Sequence, residues 1–235
     1  MQASFQRALW WIKRDIRLDD NEALHAACSS GVEVVPVYAV EPMLWSSADA
    51  SAMHLNAVRT ALSALREKLR SAYGADLLVI RGDLPDAFDE LRAALPFDAI
   101  FAEEETGLAH TFERDKRVRA WARKAGVAFR ELPHAGVIRG LASREDRKRI
   151  WNERMARPAL DSPTNIPQGP EVLRHAGSSE LPGFAECGLS EPAGAVGLAQ
   201  LDNAPAPGKG LQRVDEPAAH RVLESFLTTR GEAYN

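Results

Sequence analysis

The sequence has few of the features that mark secreted, membrane-spanning and metal-binding proteins. Its 235 residues include only two cysteines, Cys28 and Cys187, which lie too far apart in unlike contexts to indicate a disulfide framework or a metal-ligand set. No apolar run approaches the roughly 18 residues that span a bilayer, and the first residues do not have the layout of a secretory signal. These absences predict a cytoplasmic protein without membrane contact.

Motifs of common nucleotide enzymes and hydrolases are also absent. The chain contains neither a Gly-x-Gly-x-x-Gly fingerprint nor a Gly-x-x-x-x-Gly-Lys-Ser/Thr loop, and no Gly-x-Ser-x-Gly elbow. His54, His110 and His134 are dispersed without ligand spacing, so no metal site is predicted.

Charge is unevenly distributed, although the net charge of −4 and the 45% hydrophobic content are ordinary for a soluble globular protein. Residues 111–157 carry 14 Lys/Arg against 6 Asp/Glu, whereas the other residues carry 15 against 27. The basic region is either a surface for phosphates or another domain, or a pair of solvated helices.

Apolar segments that alternate with helical periodicity predict an α/β fold. The predicted strands are Ala8–Ile12, Val32–Val40, Asp76–Ile80, Ala99–Ala102 and Val127–Leu132. Helices are predicted over about 21–30, 51–73, 111–125 and 144–157, with a short helix after Pro85 for which Asp83 is the expected N-cap. Such alternation predicts a five-stranded, parallel, doubly wound (Rossmann-like) sheet with helices on both faces.

The domain prediction has three parts. Residues 1–157 form the α/β domain, and residues 158–216, with 8 of the 14 prolines and 8 of the 16 glycines, form a long connector. Residues 217–235 contain an amphipathic helix that has little left to pack against except the first domain, and the family resemblance given below implies that they begin an incomplete all-α domain. We therefore expect the chain to be part of a longer protein.

Two charged loops are predicted at the carboxyl edge of the sheet, where open α/β folds hold ligands. The first follows the opening strand and contains Lys13, Arg14, Asp15 and Arg17, whose cations suit an anionic or carbonyl-rich ligand. The alternative is that Asp15 bonds loop amides or pairs with Arg14 or Arg17, which makes the loop rigid. The second loop runs from Glu103 to Gly107; its carboxylates either meet a ring through N–H donors or are solvated.

The first loop belongs to a specific pattern. The run from Trp10 to Leu24, Trp-Trp-Ile-Lys-Arg-Asp-Ile-Arg-Leu-Asp-Asp-Asn-Glu-Ala-Leu, resembles the opening signature of the DNA photolyase/cryptochrome family. Segments further along resemble the family too: the Ser51–Leu65 helix, the Glu103–Gly107 loop with its following helix, and the final Leu223–Tyr234 run.

The resemblance implies a two-domain flavoprotein. Its sheet domain would hold an antenna chromophore (a folate, deazaflavin or flavin), for which the candidate residues are Lys13, Arg14, Asp15, Glu104 and Glu105. Its helical domain would hold FAD beside Tyr234, pack on the sheet domain and bind damaged DNA, where excited reduced flavin donates an electron to a pyrimidine dimer. Most of that domain is not in this sequence, so we expect this part alone to be inactive in repair. The oligomeric state stays open.

Two other functions compete with DNA repair. A cryptochrome would use the same flavin for blue-light signalling. A standalone nucleotide-binding α/β protein, of the stress-protein or electron-transfer-flavoprotein kind, would have no photochemistry.

Overall fold

A parallel sheet of five strands forms the centre of the computed structural model, which describes residues 6–133, 136–141, 143–182, 187 and 214–231. The strands are β1 (Arg7–Ile12), β2 (Glu33–Val40), β3 (Leu78–Arg81), β4 (Ala99–Glu103) and β5 (Ala128–Leu132). Their order in the sheet is β3-β2-β1-β4-β5, and every pair of neighbours is parallel. The predicted fold class is therefore confirmed.

Helices cover both faces of this sheet. They are α1 (Glu22–Cys28), α2 (Pro42–Trp45), α3 (Ala52–Tyr73), α4 (Asp86–Ala94), α5 (Ala109–Ala125), α6 (Asp146–Met155), α7 (Pro170–Gly177) and α8 (Glu216–Ser225). Residues of α1 and α3 belong to one apolar cluster, and residues of α4, α5 and α7 belong to a second.

The central strand β1 explains why there are two clusters. Successive side chains of a strand point to opposite faces, so Trp10 enters the cluster with α1 and α3, and Trp11 enters the cluster with α4 and α5. Both indoles are buried, and the Trp11 ring meets Phe88 edge-to-face, with centroids 5.3 Å apart. A nearly continuous apolar strand is what a sheet covered on both faces requires.

Two local predictions were wrong. Asp83 does not cap α4, whose N-cap is Pro85; instead its Oδ1 accepts from the Met43 N–H at 2.9 Å. Between β2 and α3, where the periodicity predicts no helix, the chain contains α2, which begins at Pro42, a residue suited to the first helical position. The Asp83 contact ties this short helix to the turn after β3.

Helix α7 lies inside the segment predicted as an extended connector. Its Val172 and Ala176 are buried in the cluster with α4 and α5, and α7 contacts β3. Just before α7, the Pro167 carbonyl accepts from the Val34 N–H at 2.8 Å. The described residues up to 182 therefore pack on the sheet, whereas 183–186 and 188–213 lie outside the described part of the chain.

Helix α8 contacts the β1–α1 loop through its first turn. Glu216 accepts from the N–H groups of Leu18 and Asp19, at 3.1 and 2.9 Å, and pairs with Lys68 at 3.1 Å. His220, one turn later, lies 3.4 Å from a carboxylate oxygen of Asp19. These polar contacts link the loop at the carboxyl edge of β1 to the last helix.

The amphipathic helix predicted within residues 217–235 departs from regular α geometry in its second half. It continues from α8 as a π-helical turn over Phe226–Arg230. Leu223 and Leu227 remain exposed there, at 55% and 71%. Tyr234 lies outside the described residues. Within the described ranges, no helix is both long and apolar enough to cross a membrane.

The position of α7 gives a stability prediction. Val172→Ala should lower the free energy of unfolding by about 2 kcal/mol, because two buried methyl groups are lost and a cavity is left. Urea denaturation followed by circular dichroism measures this difference. Val137→Ala is the matched control, since that side chain is 48% exposed and its truncation should change little. Equal effects of the two substitutions would contradict the packing of α7.

Candidate functional site

The loops after β1, β2 and β4 meet at the carboxyl edge of the sheet. Strand β1 has β2 on one side and β4 on the other, so the strand order reverses there. In open α/β sheets, ligands bind in the crevice at such a reversal. The sequence-based placement of both charged loops at this edge is confirmed.

The β1–α1 loop is held by a pair of buried side chains. The Asp15 carboxylate accepts from the Lys13 N–H at 3.0 Å and from the Asn21 amide nitrogen at 3.2 Å. Asn21 also donates to the Arg17 carbonyl at 3.1 Å, and its Oδ1 caps α1 by accepting from Leu24 N–H at 2.9 Å. Both side chains are nearly inaccessible, so the loop is rigid, as the alternative for Asp15 anticipated.

A buried guanidinium, Arg114 on α5, joins three carboxylates from different segments. It donates to Glu41 after β2, to Glu105 after β4 at 3.3 Å, and to Asp115 beside it at 2.9 Å. All four side chains are buried. Because a planar guanidinium has five N–H donors, it can satisfy several acceptors at once. Arg114 thus fixes the positions of two edge loops relative to α5.

Lys13 extends this cluster toward β1. Its ammonium donates to Asp115 at 2.7 Å, and both side chains are buried. Lys13 and Arg114 each lie 4.8 Å from the Trp11 ring, within the range of cation–π attraction. The predicted ligand cation Lys13 is therefore neutralised by a protein carboxylate.

Burial sets the acid–base properties of the cluster. Loss of hydration lowers the pKa of Lys13, which its bond with Asp115 only partly offsets. Burial raises the pKa of Glu41, and the adjacent Arg114 opposes this shift. For Arg114, burial alone would lower the pKa, but Glu41 and Asp115 outweigh it and the pKa is raised.

The second charged loop is less solvated than predicted. Glu103 and Glu105 are only 4% and 3% exposed, because Glu103 pairs with Arg17 at 3.0 Å while Glu105 accepts from Arg14, Arg114 and the Gly107 N–H. The alternative that these carboxylates are solvated is therefore wrong for Glu103 and Glu105. Arg14 lies across Gly107, where a Cβ would collide with the guanidinium.

Glu104 differs from its neighbours. Its N–H donates to the Leu132 carbonyl at 2.7 Å, while its Oε2 is buried without a hydrogen-bond partner among the described residues. A buried carboxylate oxygen without a donor is costly, so this atom is a candidate to accept a hydrogen bond from a ligand.

A cavity of about 630 Å³ lies at the reversal between β1 and β4. It is lined by Arg17, Asp20, Glu22, His25, Glu103, Leu132, Pro133, Arg154, Met155, Arg157, Pro158, Ala159 and Leu160. Three arginines, a histidine and three carboxylates (Asp20, Glu22 and Glu103) line it, together with apolar groups at its β5 and α6 sides. Its volume is in the range of small-molecule and cofactor sites.

The residues predicted to bind the chromophore lie at the same edge of the sheet as this cavity but do not line it. None of Lys13, Arg14, Asp15, Glu104 and Glu105 is in its lining, although Glu103 and Leu132, the neighbours of Glu104 along the chain and across the sheet, are. Their role as direct chromophore contacts stays a prediction.

Sequence reasoning missed Arg154 and Arg157 as lining residues. Both lie in the basic region 111–157 that the charge distribution indicates. The periodicity of a helix does not show, however, that the chain after β5 returns to the carboxyl edge of the sheet.

Another cluster of potential ligand atoms lies at the base of α8. One atom each from Asp19, Glu216 and His220 fall within 4.8 Å of one another. Both oxygens of Glu216 already accept from N–H donors, and Asp19 accepts from Ser162. We therefore interpret the cluster as the contact that docks α8.

The fold and the edge cavity define a doubly wound α/β domain of nucleotide-binding type. The sequence model of the DNA photolyase family matches residues 8–141, more than half of the chain. The chain therefore belongs to the DNA photolyase/cryptochrome family. This confirms the resemblance seen in the Trp10–Leu24 signature.

Individual relatives agree with this assignment. A deoxyribodipyrimidine photo-lyase of Halobacterium salinarum is 32% identical over 213 residues, covering 80% of this chain and 42% of that protein. A cryptochrome DASH of Gloeobacter violaceus is 26% identical, covering 97% of this chain and 47% of that protein. The chain thus spans less than half the length of these curated relatives.

A solved structure shares the fold. The crystal structure of an archaeal photolyase from Sulfolobus tokodaii with two FAD molecules, reported with the implication of a novel light-harvesting cofactor, superposes with a TM-score of 0.55. The match covers 70% of this chain and 39% of that one at 20% identity, so it shows similarity of fold.

The buried pair of Lys13 and Asp115 gives a prediction. Asp115→Asn should lower the free energy of unfolding by about 3 kcal/mol, because the Lys13 ammonium stays buried without its counter-charge. Chemical denaturation measures the change. Glu113→Gln, which breaks the exposed pair with Lys116, should cost under about 1 kcal/mol. An Asp115 variant as stable as this control would show that the buried charges do not organise the edge.

Proposed function

We propose that this chain is the N-terminal part of a light-driven DNA repair flavoprotein and that its sheet domain holds an antenna chromophore. The observation that carries the antenna role is the cavity at the strand-order reversal, lined by Arg17, Arg154 and Arg157. Support for repair comes from family membership and from the deoxyribodipyrimidine photo-lyase relative, whose name states its activity.

The proposed domain arrangement keeps the three predicted parts. Residues 1–157 would form the antenna domain, 158–216 the connector and 217–235 the start of the FAD-binding helical domain. The exposed Leu223 and Leu227 support a partner surface at the last helix, since large apolar side chains there need cover. In the longer protein, we infer that the helical domain packs on the sheet domain and binds the damaged DNA.

The cavity has the chemistry that a flavin-type or folate-type chromophore needs. Guanidinium groups suit phosphate or carboxylate, and Leu132, Pro133 and Met155 provide apolar surface for a ring. Glu104 Oε2 offers an acceptor for a ring N–H close to the same edge. When bound, the chromophore would absorb light and pass its excitation to the catalytic flavin.

The chain's own residues would bind, orient and shield such a molecule. Arg17 is fixed by its pairing with Glu103 and by its bond to the Asp20 carbonyl at 2.8 Å, so one cation is preorganised. Arg154 is oriented by donating to the Val137 carbonyl at 2.7 Å. Lys13, Arg14, Asp15 and Glu105 would act mainly by holding the loops that frame the cavity.

The last helix supplies only one edge of a catalytic FAD site, with the apolar side chains of Leu223, Phe226 and Leu227 exposed there. The repair step would therefore require further residues of the helical domain. A contact between Tyr234 and flavin in the longer protein stays a prediction.

A blue-light photoreceptor is the second candidate. It is favoured by the cryptochrome DASH relative, which aligns over 97% of this chain. Light-dependent loss of pyrimidine dimers from DNA, assayed with the proposed longer protein, separates the two: repair supports the photolyase, and its absence with intact flavin photoreduction supports the photoreceptor.

The antenna proposal predicts flavin nucleotide binding by the chain itself. Titration with FMN or FAD should give saturable quenching of flavin fluorescence, and Arg154→Gln with Arg157→Gln should weaken binding about tenfold or more, since charge-assisted bonds to the ligand are lost. The matched control is Arg174→Gln with Arg221→Gln, which removes two exposed charges elsewhere and should leave the affinity unchanged.

The same titration, repeated with a folate and a deazaflavin, identifies the chromophore class. Saturable binding of either, weakened by the same pair of substitutions, supports the cavity as the site. Failure of all these compounds to bind at about 1 mM would overturn the antenna proposal.

A further inference from the structure

Helix α6 presents an exposed stripe of cations and an aromatic ring that the cavity does not use. At 100° per residue, Arg147, Lys148, Trp151 and Met155 fall on one flank of the helix, Arg144 lies in the turn just before it, and all five are exposed. We call these five residues the cationic stripe. The half-buried line of the helix runs through Asp146, Ile150 and Arg154, to one side of the stripe.

Charges on the other flank of α6 neutralise one another. Arg149 pairs with Asp146 at 3.2 Å and with Glu153 at 2.9 Å. In the stripe, by contrast, the charged groups of Arg144, Arg147 and Lys148 make no ion pair within the described ranges. The helix therefore has one flank whose charges pair with one another and one positively charged flank whose cations have no ion-pair partner within the described ranges.

Helix stability does not explain this arrangement. Arg147 and Lys148 lie in the first turn of α6, and Arg144 lies just before the helix. Cations are unfavourable at a helix N-terminus, where the macrodipole is positive. Packing explains only part of it, because α6 has no buried residue, and Trp151, whose indole lies against Gly136, still has 44% of its surface exposed. The cations of the stripe thus lower the stability of their own helix, beside an aromatic ring that is only partly covered.

We propose that the cationic stripe is a binding surface for a single strand of DNA. Arg144, Arg147 and Lys148 contact successive phosphates, and Trp151 stacks on an unpaired base. A groove that combines cations with an exposed aromatic ring is the chemistry that single-stranded nucleic acid recognises. The helical part of the stripe, from Arg147 to Met155, spans about 12 Å at 1.5 Å per residue, which is long enough to contact successive nucleotides.

The choice of DNA rests on the proposed function, in which the longer protein acts on damaged DNA. The stripe is separate from the cavity except for Met155, so the two sites can be tested independently. An acidic protein surface would satisfy the three cations but gives no reason for a solvent-exposed tryptophan beside them.

The test measures binding of a fluorescein-labelled single-stranded oligonucleotide to the whole chain by anisotropy over a range of salt concentrations. Neutralising three phosphate contacts with Arg144→Gln, Arg147→Gln and Lys148→Gln should lower the slope of log affinity against log salt by about 2. Trp151→Ala should weaken binding about fivefold or more without changing that slope, and Trp151→Phe should retain most of the affinity.

The control removes the same charge from a neighbouring basic helix. Arg117→Gln, Arg123→Gln and Lys124→Gln neutralise three exposed cations of α5, whose Trp121 is instead half-buried and bonded to Asp89. This variant should keep both the affinity and most of the salt slope. Equal losses in the two triple variants would mean diffuse electrostatic attraction and would overturn the proposal.

Two further results would overturn it. One is unchanged DNA binding by the stripe variants; the other is a loss of domain association in the longer protein without a loss of DNA binding, which would make the stripe a domain contact. Flavin titration of the same variants should be unchanged. A failed stripe test with intact flavin binding and light-driven repair would remove this inference and leave the proposed function standing.

Discussion

The buried contact between Arg114 and its three carboxylates is the constraint on which the carboxyl edge of the sheet depends. Glu41 follows β2, Glu105 follows β4, and Asp115 lies on α5, so one guanidinium connects three separate parts of the chain. Burying these groups costs hydration energy, which only complete pairing offsets. This pairing restricts the conformations of the loops, because few arrangements of the loops place all three carboxylates within hydrogen-bonding distance of Arg114.

Because of this cluster, some charged residues at the sheet edge hold the loops in place and others line the cavity. Lys13, Asp115 and Glu105 form ion pairs with other side chains of the protein, and the hydrogen bond between Asp15 and Asn21 makes the first loop rigid. The cations that line the cavity are Arg17, which pairs with Glu103, and Arg154 and Arg157, which lie near the end of α6 and just after it. A rigid frame that carries a few oriented cations is the arrangement expected of a site that binds without large reorganisation.

Much of the fold could be predicted from the sequence, because the apolar segments are long and their periods are clear. The Trp10–Leu24 signature identified the family and located the first edge loop. Helix α7 was missed because it has only eight residues, begins with a proline and lies in a proline-rich stretch. Tertiary burial of Val172 and Ala176 stabilises it, and no local pattern shows that.

The buried charges were the larger omission, although a signal existed. Asp115 precedes Val118 by three residues and Ala122 by seven, which places it on the buried stripe of α5. A charged residue at a helical position where apolar residues are expected can indicate a buried ion pair, and need not mean only that the apolar pattern is interrupted. The cavity had no such signal, since Arg154 and Arg157 reach it through the tertiary path of the chain after β5.

A double-mutant cycle between Arg114 and Glu41 tests the organising role of this cluster most directly. Unfolding free energies are measured for Arg114→Met, Glu41→Leu and the double variant. Arg114→Met leaves Glu41 buried without its cation, and Glu41→Leu removes one of the three acceptors of Arg114, so the double variant should be more stable than the sum of the single losses predicts, by about 2 kcal/mol or more. Losses that add to within about 0.5 kcal/mol would contradict the account.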